Sequence, residues 1–296
     1  MDLSSPRRIG KSDLYVTPLG FGGGTIGSPD VPTQTSFDTV NAAWASGVRF
    51  FDTAPWYGLG RSERRLGLAL AGIDDRDRYC INTKVGKSLV PEPQRDESKR
   101  TLSPGGQVRT PRDPISGFRV EFDYTYQRIQ SQHHESLQRL GHSRVDSLTI
   151  HDIDYGYHPP TQIEEHLEEL DSNRGGGATA LQELRALGAI KAIGCGCNLE
   201  SRNADSWLTN AHEDLCERIA DLVDLDFFVI AGGYTLLETR ALRRVLPLCD
   251  KRGIGVIIAA PYASGWLANS IGTATYMYDQ APSDIVEKTR RMASIC

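Results

Sequence analysis

The 296-residue sequence contains no apolar segment long enough to cross a bilayer. Its longest apolar stretch runs from Ile254 to Ala268 and is interrupted by Pro261, whereas a membrane-spanning helix needs about 20 consecutive apolar residues. The first residues lead into a polar and basic segment and not into the apolar core of a signal peptide. We therefore expect a cytoplasmic protein with no membrane partner.

The sequence also has little excess of charge of either sign. Its 33 Lys and Arg residues and 38 Asp and Glu residues give a formal net charge of −5. A chain with this balance has no general attraction for polyanions. Nucleic acid is therefore not an expected partner.

Cysteine is scarce and scattered, with six residues in the whole chain. Cys195 and Cys197 stand close together, but no second Cys or His pair follows at the spacing of a zinc site. Without a secretory signal, reduced and buried thiols are the expected state. The sequence predicts neither a disulfide framework nor a metal site.

Short apolar runs alternate with helix-like segments along the chain. Runs typical of strands cover 19–21, 48–52, 79–84, 145–150, 190–195, 226–230 and 255–259, and several are apolar nearly throughout, as in strands buried on both faces. Helical patterns cover 35–46, 62–70, 125–140, 178–187, 237–251 and 282–294. This alternation of seven β-α units predicts one α/β domain spanning residues 1–296, with a parallel sheet.

Two segments fall outside this alternation. Residues 1–18 contain the pattern of a small β-hairpin ahead of the first unit. Residues 88–122 form a long segment rich in Pro, Gly, Arg and Asp, and a loop of this length inside a domain is usually functional or mobile. We expect a loop there.

The stretch GFGGGTIG contains a G-x-G-x-x-G pattern at Gly22, Gly24 and Gly27. In a dinucleotide-binding turn the third glycine already lies in a helix, and an acidic residue about 20 residues later binds the ribose. Asp52 imitates that acid, but Pro29 and Pro32 disfavour a helix after the glycines. The prolines favour a glycine-rich loop at the end of a strand over a dinucleotide-binding turn.

Ionisable residues end several of the predicted strands. Asp52 ends the second strand, Lys84 the third and His151 the fourth, while Tyr57 follows Asp52 by five residues. In a parallel barrel these strand ends converge on one face, where active sites lie. The four residues together therefore indicate a catalytic site, although Asp52 and Lys84 alone are also compatible with a structural ion pair.

These residue types suit proton transfer to or from an oxygen. A tyrosine has an ordinary pKa of about 10, and a neighbouring ammonium such as that of Lys84 lowers the pKa of a phenol by favouring the phenolate. Asp52 would hold Lys84 charged and oriented. His151 would donate a hydrogen bond to the substrate oxygen or assist proton transfer.

The motifs FDTAPWYG, TK, IHD and GAIKAIGCGCN occur in this order, and the sequence from about Val16 to Ala268 thereby resembles the aldo-keto reductase superfamily. The resemblance implies a TIM-type (α/β)8 barrel that binds NAD or NADP in an extended form without a dinucleotide-binding fold. It also implies that Asp52, Tyr57, Lys84 and His151 are the catalytic residues. The glycine run then becomes the loop after the first barrel strand.

Further residues match cofactor-binding positions of that family, and the resemblance implies the same roles here. Asn198 would bind the nicotinamide carboxamide, and Tyr262 would stack on the nicotinamide ring. The remaining matches are to residues near the cofactor or along its pyrophosphate, namely Gly24, Thr25, Asp52, Ala263, Ser264 and Gly265. Trp56 is a candidate apolar wall for the substrate, although loop packing explains it equally well.

The segments FDYTYQRIQSQHHESLQRLGHSRVDSLTIHDID and VIAGGYTLLE resemble the branch of the family that contains aldose 1-dehydrogenases and pyridoxal 4-dehydrogenases. The implied substrate is a small carbonyl compound or a cyclic hemiacetal that is oxidised to a lactone. Two departures accompany the resemblance. Gly233 replaces a frequent basic residue, and no counterpart of the eighth β-α unit precedes Cys296. A barrel lacking its last unit is therefore expected, and a cofactor-binding regulatory protein remains the alternative function.

Overall fold

The apolar runs form the strands of a parallel sheet in the computed structural model, which describes residues 5–91, 117–199, 210–269, 275–276 and 280–295. The strands are β1 (Arg7–Arg8), β2 (Tyr15–Val16), β3 (Phe21–Gly22), β4 (Phe50–Asp52), β5 (Cys80–Val85), β6 (Lys87–Pro91), β7 (Phe118–Phe122), β8 (Ser147–His151), β9 (Ala192–Asn198), β10 (Phe227–Ala231) and β11 (Gly255–Ala259). The helices are α1 (Thr33–Ala45), α2 (Arg61–Leu70), α3 (Tyr126–Leu140), α4 (Pro160–Leu170), α5 (Gly177–Ala186), α6 (Ala211–Leu222), α7 (Val245–Arg252) and α8 (Ser283–Ala293).

Seven strands pair in the order β11-β10-β9-β8-β5-β4-β3, and every pair is parallel. This order follows the chain without the reversal that a doubly wound dinucleotide-binding sheet contains. The predicted TIM-type α/β barrel with seven strands is therefore confirmed, and the dinucleotide-binding turn is excluded. Because all seven strands run the same way, their carboxyl ends lie along one rim of the barrel.

Burial differs between the middle and the edge of this sheet. Every residue of β8 and β9 is buried, as expected for strands that are covered by side chains inside the barrel and by helices outside it. Every residue of β11 is only partly buried. Within the described residues, β11 and β3 are the two edge strands and do not pair with each other.

The predicted N-terminal hairpin is confirmed. β1 and β2 pair in antiparallel fashion, and Ile9 and Leu14 of its turn region pack against Phe227 and Ala192. Phe227 and Ala192 are the first residues of their strands. The hairpin therefore covers the amino-terminal end of the barrel, opposite the rim that carries the candidate site.

The structure differs from the sequence expectations in its connections. Helices α4 and α6 were not predicted, and only the second half of the helix expected at 237–251 forms, as α7. The ends of the expected 88–122 loop are the strands β6 and β7, which pair in antiparallel fashion. Leu89 and Val120 lie opposite each other in this pair and pack together on Leu59. Residues 92–116 lie outside the described part, and the single-domain organisation stays a prediction.

No helix in the described part of the chain combines the length and the apolar character that a bilayer crossing requires.

Helix α3 carries a buried histidine, His133, which is 4% exposed. Neither of its ring nitrogens has a hydrogen-bond partner among the described residues. Burial, assisted by the charge of the neighbouring His134, lowers the pKa of His133 to about 4. Between about pH 4 and pH 6.5, His133 is therefore neutral in the folded protein, whereas the same residue in the unfolded chain binds a proton.

This difference predicts a loss of stability in acid. An unfolded histidine takes up its proton near pH 6.5, so the stability contributed by neutral His133 is complete above that pH and is lost as the pH falls toward about 4. His133→Gln removes the titrating group, and its free energy of unfolding should depend less steeply on pH, by up to about 1.4 kcal/mol per pH unit. Urea unfolding between pH 8 and pH 4.5 measures this slope.

The neighbouring residue provides the control. His134 lies on the exposed side of the same helix, so His134→Gln should change the slope of stability against pH much less than His133→Gln, because it removes only the smaller, charge contribution to the lowered pKa of His133. Equal slopes for His133→Gln and the unmodified protein would contradict the assignment of His133 as a neutral buried group.

Candidate active site

Buried Lys84 and partly buried Asp52 form an ion pair at the carboxyl rim of the barrel. Lys84 Nζ donates to Asp52 Oδ1 at 2.8 Å, to Oδ2 at 2.7 Å and to the carbonyl of Thr53 at 2.8 Å. Asn82 Nδ2 also donates to Asp52 Oδ1, at 2.7 Å. The pairing of β4 with β5 places Asp52 opposite Asn82 and so brings Lys84 within reach. With its side chain 3% exposed, the ammonium is held in one position by these oxygens.

Tyr57 and His151 lie beside this ion pair. The Tyr57 and His151 rings meet edge to face with their centres 5.8 Å apart. Lys84 Nζ is 4.8 Å from the centre of the Tyr57 ring. The structure therefore brings together the four side chains that the sequence singled out, one from the end of each of three strands and one from the loop after β4.

The glycine-rich segment after β3 packs on the loop that carries Tyr57. The segment forms a short 3-10 helix over Thr25–Gly27. A Cβ atom on Gly27 would lie 2.6 Å from the backbone of Tyr57, and one on Gly58 would lie 1.8 Å from the Gly27 carbonyl oxygen. A Cβ atom on Gly23 would likewise lie 2.7 Å from the Asp52 carbonyl oxygen, to which the Gly23 N–H donates. These glycines allow two backbones to touch, which places Tyr57.

Helix α2 holds the same segment from its other side. Arg65 Nη1 donates to the carbonyls of Ile26 and Ser28 at 2.6 and 3.1 Å, and Arg61 Nη1 donates to the carbonyl of Gly27 at 3.0 Å. Ser62 Oγ donates to the Gly23 carbonyl at 2.7 Å. Sequence analysis did not identify these residues as part of the site, although their clustering in GRSERR directly after the Tyr57 loop was visible.

Gly24 and Thr25 occupy the exposed side of this segment. A Cβ atom on Gly24 would meet no other atom within 4 Å, so this glycine faces open space and not packed backbone. Thr25 is also exposed. This surface fits the approach of a ligand to the backbone, which is the position that the family resemblance predicts for these residues.

Asn198 ends β9 and is joined to two carboxylates that follow β8. Its Nδ2 donates to Asp152 Oδ1 at 2.7 Å and to Asp154 Oδ2 at 2.6 Å. Asp152 Oδ2 is 3.4 Å from His151 Nε2. Through Asp152, the predicted nicotinamide-binding residue is therefore connected to the predicted catalytic histidine. The acids themselves were visible in the motif IHDID but received no role from the sequence.

The segment after β11 has an unusual backbone. Ala263, Ser264 and Gly265 have φ angles of 49°, 62° and 93°, in the left-handed region that non-glycine residues rarely adopt. Ala263 is buried, whereas the Tyr262 side chain is 62% exposed. Backbone strain of this kind recurs where a chain contacts a ligand. The exposed ring of Tyr262 fits the stacking role that the resemblance implies.

Trp56 belongs to an aromatic cluster that surrounds a second buried lysine, Lys87. Lys87 Nζ lies 4.0 Å from the centre of the Trp56 ring and 3.9 Å from that of Tyr157. It also forms an ion pair with Asp152. Trp56 also packs on Leu89 of β6 and Val120 of β7. The sequence patterns did not predict a role for Lys87 in the site.

Two further buried groups contact the backbone of His151 and Asp152, namely Tyr124 and His158. The Tyr124 hydroxyl donates to the His151 carbonyl at 2.7 Å, and burial raises the pKa of Tyr124 well above its usual range. Burial, with a smaller contribution from the charge of His166, lowers the pKa of His158 to about 4. Tyr124 and His158 are therefore neutral near pH 7, and neither adds a charge next to His151 and Asp152.

The cysteine pair lies on β9 with its sulfur atoms 4.0 Å apart. Hydrogen bonding to Cys195 and burial raise the pKa of Cys197 well above its usual range, so it is a protonated thiol. Within the described residues, no group of three His, Cys, Asp or Glu side chains is placed to hold a metal ion.

Comparison with known proteins matches residues 18–295 to the Aldo/keto reductase family. The pyridoxal 4-dehydrogenase of Microbacterium luteolum is 36% identical, over 99% of this chain and 81% of that protein. The D-threo-aldose 1-dehydrogenase of a Pseudomonas species is 34% identical, over 96% of this chain and 78% of that protein. The solved structure of the aldo-keto reductase AKR11C1 from Bacillus halodurans superposes on this chain with a TM-score of 0.65. The superposition covers 97% of this chain and 76% of that chain, at 22% sequence identity, and shows that the two share a fold.

The contact between the glycine segment and the Tyr57 loop predicts a stability difference between two glycines. Gly27→Ala should lower the melting temperature by several degrees, because a new methyl group would be 2.6 Å from the Tyr57 backbone. Gly24→Ala serves as the control and should melt within about 1 °C of the unmodified protein, since its methyl group enters open space. Equal melting temperatures for both variants in a thermal scan would contradict this packing.

Proposed function

Because the chain belongs to the aldo/keto reductase family, we propose that it oxidises the hemiacetal carbon of an aldose of the L-fucose or D-threo-aldose type, or of pyridoxal, to a lactone, using NAD or NADP. Reduction of a related carbonyl compound is the reverse direction of the same chemistry. The observation that carries the proposal is the contact of Tyr57 with both Lys84 and His151 at the carboxyl rim. The names of the two relatives support this substrate class.

Tyr57 is the general acid and base of the proposed reaction. In the oxidative direction its oxygen takes the proton of the hemiacetal hydroxyl, and in the reductive direction it returns a proton to the new alkoxide. The Lys84 ammonium, 4.8 Å from the ring centre, stabilises negative charge on the phenol oxygen. Asp52 contributes by holding that ammonium with both carboxylate oxygens. When bound, the nicotinamide accepts or supplies the hydride.

His151 acts on the reacting oxygen of the substrate. Its ring meets the Tyr57 ring edge to face, so a hydroxyl or carbonyl oxygen bound next to the phenol also lies next to the imidazole. A hydrogen bond from His151 orients the reacting oxygen and stabilises charge that develops on it. Trp56 supports the opposite side as an apolar wall.

The residues proposed to bind the cofactor lie along the same rim. Tyr262 presents an exposed ring for stacking, and Gly24 and Thr25 leave backbone accessible. Asn198 turns its amide nitrogen toward two carboxylates, which leaves its oxygen for a carboxamide N–H. Ala263, Ser264 and Gly265 would follow the pyrophosphate, and Asp52 would lie near the nicotinamide.

An assay of the purified protein tests the proposal directly. Formation of NADH or NADPH is followed at 340 nm with L-fucose, D-arabinose, D-galactose and pyridoxal, each with both oxidised cofactors. We expect turnover with at least one pair, and Tyr57→Phe should abolish it because phenylalanine cannot exchange a proton. Cofactor binding without turnover would favour the regulatory alternative, and a full rate in Tyr57→Phe would exclude Tyr57 as the acid and base.

A second variant tests the role of the ammonium. Lys84→Met should reduce kcat by about 10²- to 10⁴-fold, the usual contribution of acid–base catalysis, because the tyrosine loses its stabilising charge. Lys191→Met provides a control for loss of a lysine in an ion pair away from the site, since Lys191 pairs with Asp146, a residue that precedes β8 at the other end of the barrel. Steady-state kinetics of both variants should show a normal kcat only in the control. A kcat near that of the unmodified enzyme in Lys84→Met would refute the role of Lys84.

A further inference from the structure

Asp152 occupies a strained position directly after the candidate catalytic histidine. Its φ angle is 57°, in the left-handed region, although it is not a glycine. Its side chain is 8% exposed. A residue in this conformation persists only when the surrounding contacts determine it, and such residues cluster at ligand sites. Asp152 is therefore held in this conformation by the groups around it, and its carboxylate supplies several of the contacts.

One carboxylate connects three functional parts of the rim. Its Oδ2 accepts a hydrogen bond from Lys87 Nζ and lies 3.4 Å from His151 Nε2. Its Oδ1 accepts from Asn198 Nδ2 at 2.7 Å. The same group therefore touches the histidine of the proposed proton-transfer site, the asparagine of the proposed nicotinamide site and the lysine of the aromatic cluster.

Lys87 is enclosed and unsuited to direct contact with a substrate. Its side chain is 1% exposed, and the rings of Trp56, Tyr157 and Phe122 surround its ammonium at 4.0, 3.9 and 5.3 Å. Burying an ammonium is costly unless a carboxylate and the faces of aromatic rings compensate for the lost water. Aromatic rings therefore enclose the Lys87 side of the Lys87–Asp152 ion pair. The Asp152 carboxylate faces His151 and Asn198.

The opposite end of the same strand shows what a purely structural pair looks like. Asp146, immediately before β8, is also buried and accepts from Arg76 Nη2 at 2.6 Å and from the Ile81 N–H at 2.8 Å. Those partners belong to the amino end of the barrel, away from the rim. Asp146 and Asp152 are therefore matched in type, burial and pairing but differ in the site that they face.

We propose that Asp152, held by Lys87, is a positioning residue that orients the His151 ring and the Asn198 amide together. This inference rests on the proposed function and adds to it a link between the acid–base site and the nicotinamide site. The carboxylate keeps the amide nitrogen of Asn198 turned inward and places a fixed negative charge 3.4 Å from His151 Nε2. Loss of the carboxylate disturbs both sites at once, whereas the lysine contributes by holding the carboxylate in place.

Four variants test the proposal: Asp152→Asn, Lys87→Met, the double variant of both, and Asp146→Asn as the control. The substrate and cofactor that the unmodified enzyme turns over are used at saturation, and melting temperature and the dissociation constant for NADH or NADPH are measured alongside. We expect Asp152→Asn to lower kcat at least 10-fold and to weaken cofactor binding at least 3-fold. Asp146→Asn should lower the melting temperature but keep kcat within twofold.

The double variant separates positioning from charge compensation. Lys87→Met alone leaves a buried carboxylate without its lysine and should lower the melting temperature, and the added Asp152→Asn should recover it, because a neutral replacement of a buried pair is often tolerated. If Asp152 positions the site, kcat stays low in the double variant. If kcat recovers with the melting temperature, or if Asp152→Asn keeps a normal kcat, the proposal is overturned.

The unmodified enzyme is assayed first, so that the two hypotheses fail separately. Absence of turnover with every substrate and cofactor overturns the proposed function and leaves the arrangement of His151 to be tested by NMR of its ring nitrogens, assigned with His151→Gln. Ring-nitrogen signals that broaden or split in Asp152→Asn but not in Asp146→Asn support positioning by Asp152. Single sharp signals in both variants overturn it.

Discussion

Burial of the Lys84 ammonium is the constraint on which the candidate site depends. An ammonium excluded from water is stable only when oxygens surround it, and here Asp52 and the Thr53 carbonyl supply them. The Asp52 carboxylate is in turn fixed by Asn82. Because these groups sit on the paired strands β4 and β5, the position of the charge is set by the sheet. Tyr57 and His151 are then placed around a charge that cannot move.

Close contact between backbones provides the second condition. Gly27 and Gly58 touch where no side chain fits, and the arginines of α2 bind the carbonyls of the glycine segment. The loop that carries Tyr57 is therefore held between the segment after β3 and the start of α2. A tyrosine on an exposed loop would lose orientation, and proton transfer depends on that orientation. The glycine run resembles a dinucleotide-binding motif, but two of its glycines, Gly23 and Gly27, allow close backbone packing.

The predictions from sequence succeeded for the strands of the barrel and the N-terminal hairpin, and failed for two helices and a second strand pair. The seven parallel strands follow from continuous apolar runs, and the hairpin of β1 and β2 follows from its short turn. The sequence did not predict helices α4 and α6, and it predicted a loop where the strands β6 and β7 form. Leu89 and Val120 of this strand pair pack on Leu59, which is remote from Val120 in the chain. No local pattern reports such a contact.

The candidate site divides in the same way. Asp52, Tyr57, Lys84 and His151 were identifiable from the sequence alone, because parallel strands place their final residues on one rim. Only the tertiary structure decided that Asp152 joins His151 to Asn198, and that Lys87 is enclosed by Trp56 and Tyr157. The physical reason is that a strand can be predicted from the residues next to one another in the chain. The partner of a buried charge depends on which side chains the tertiary structure brings next to it.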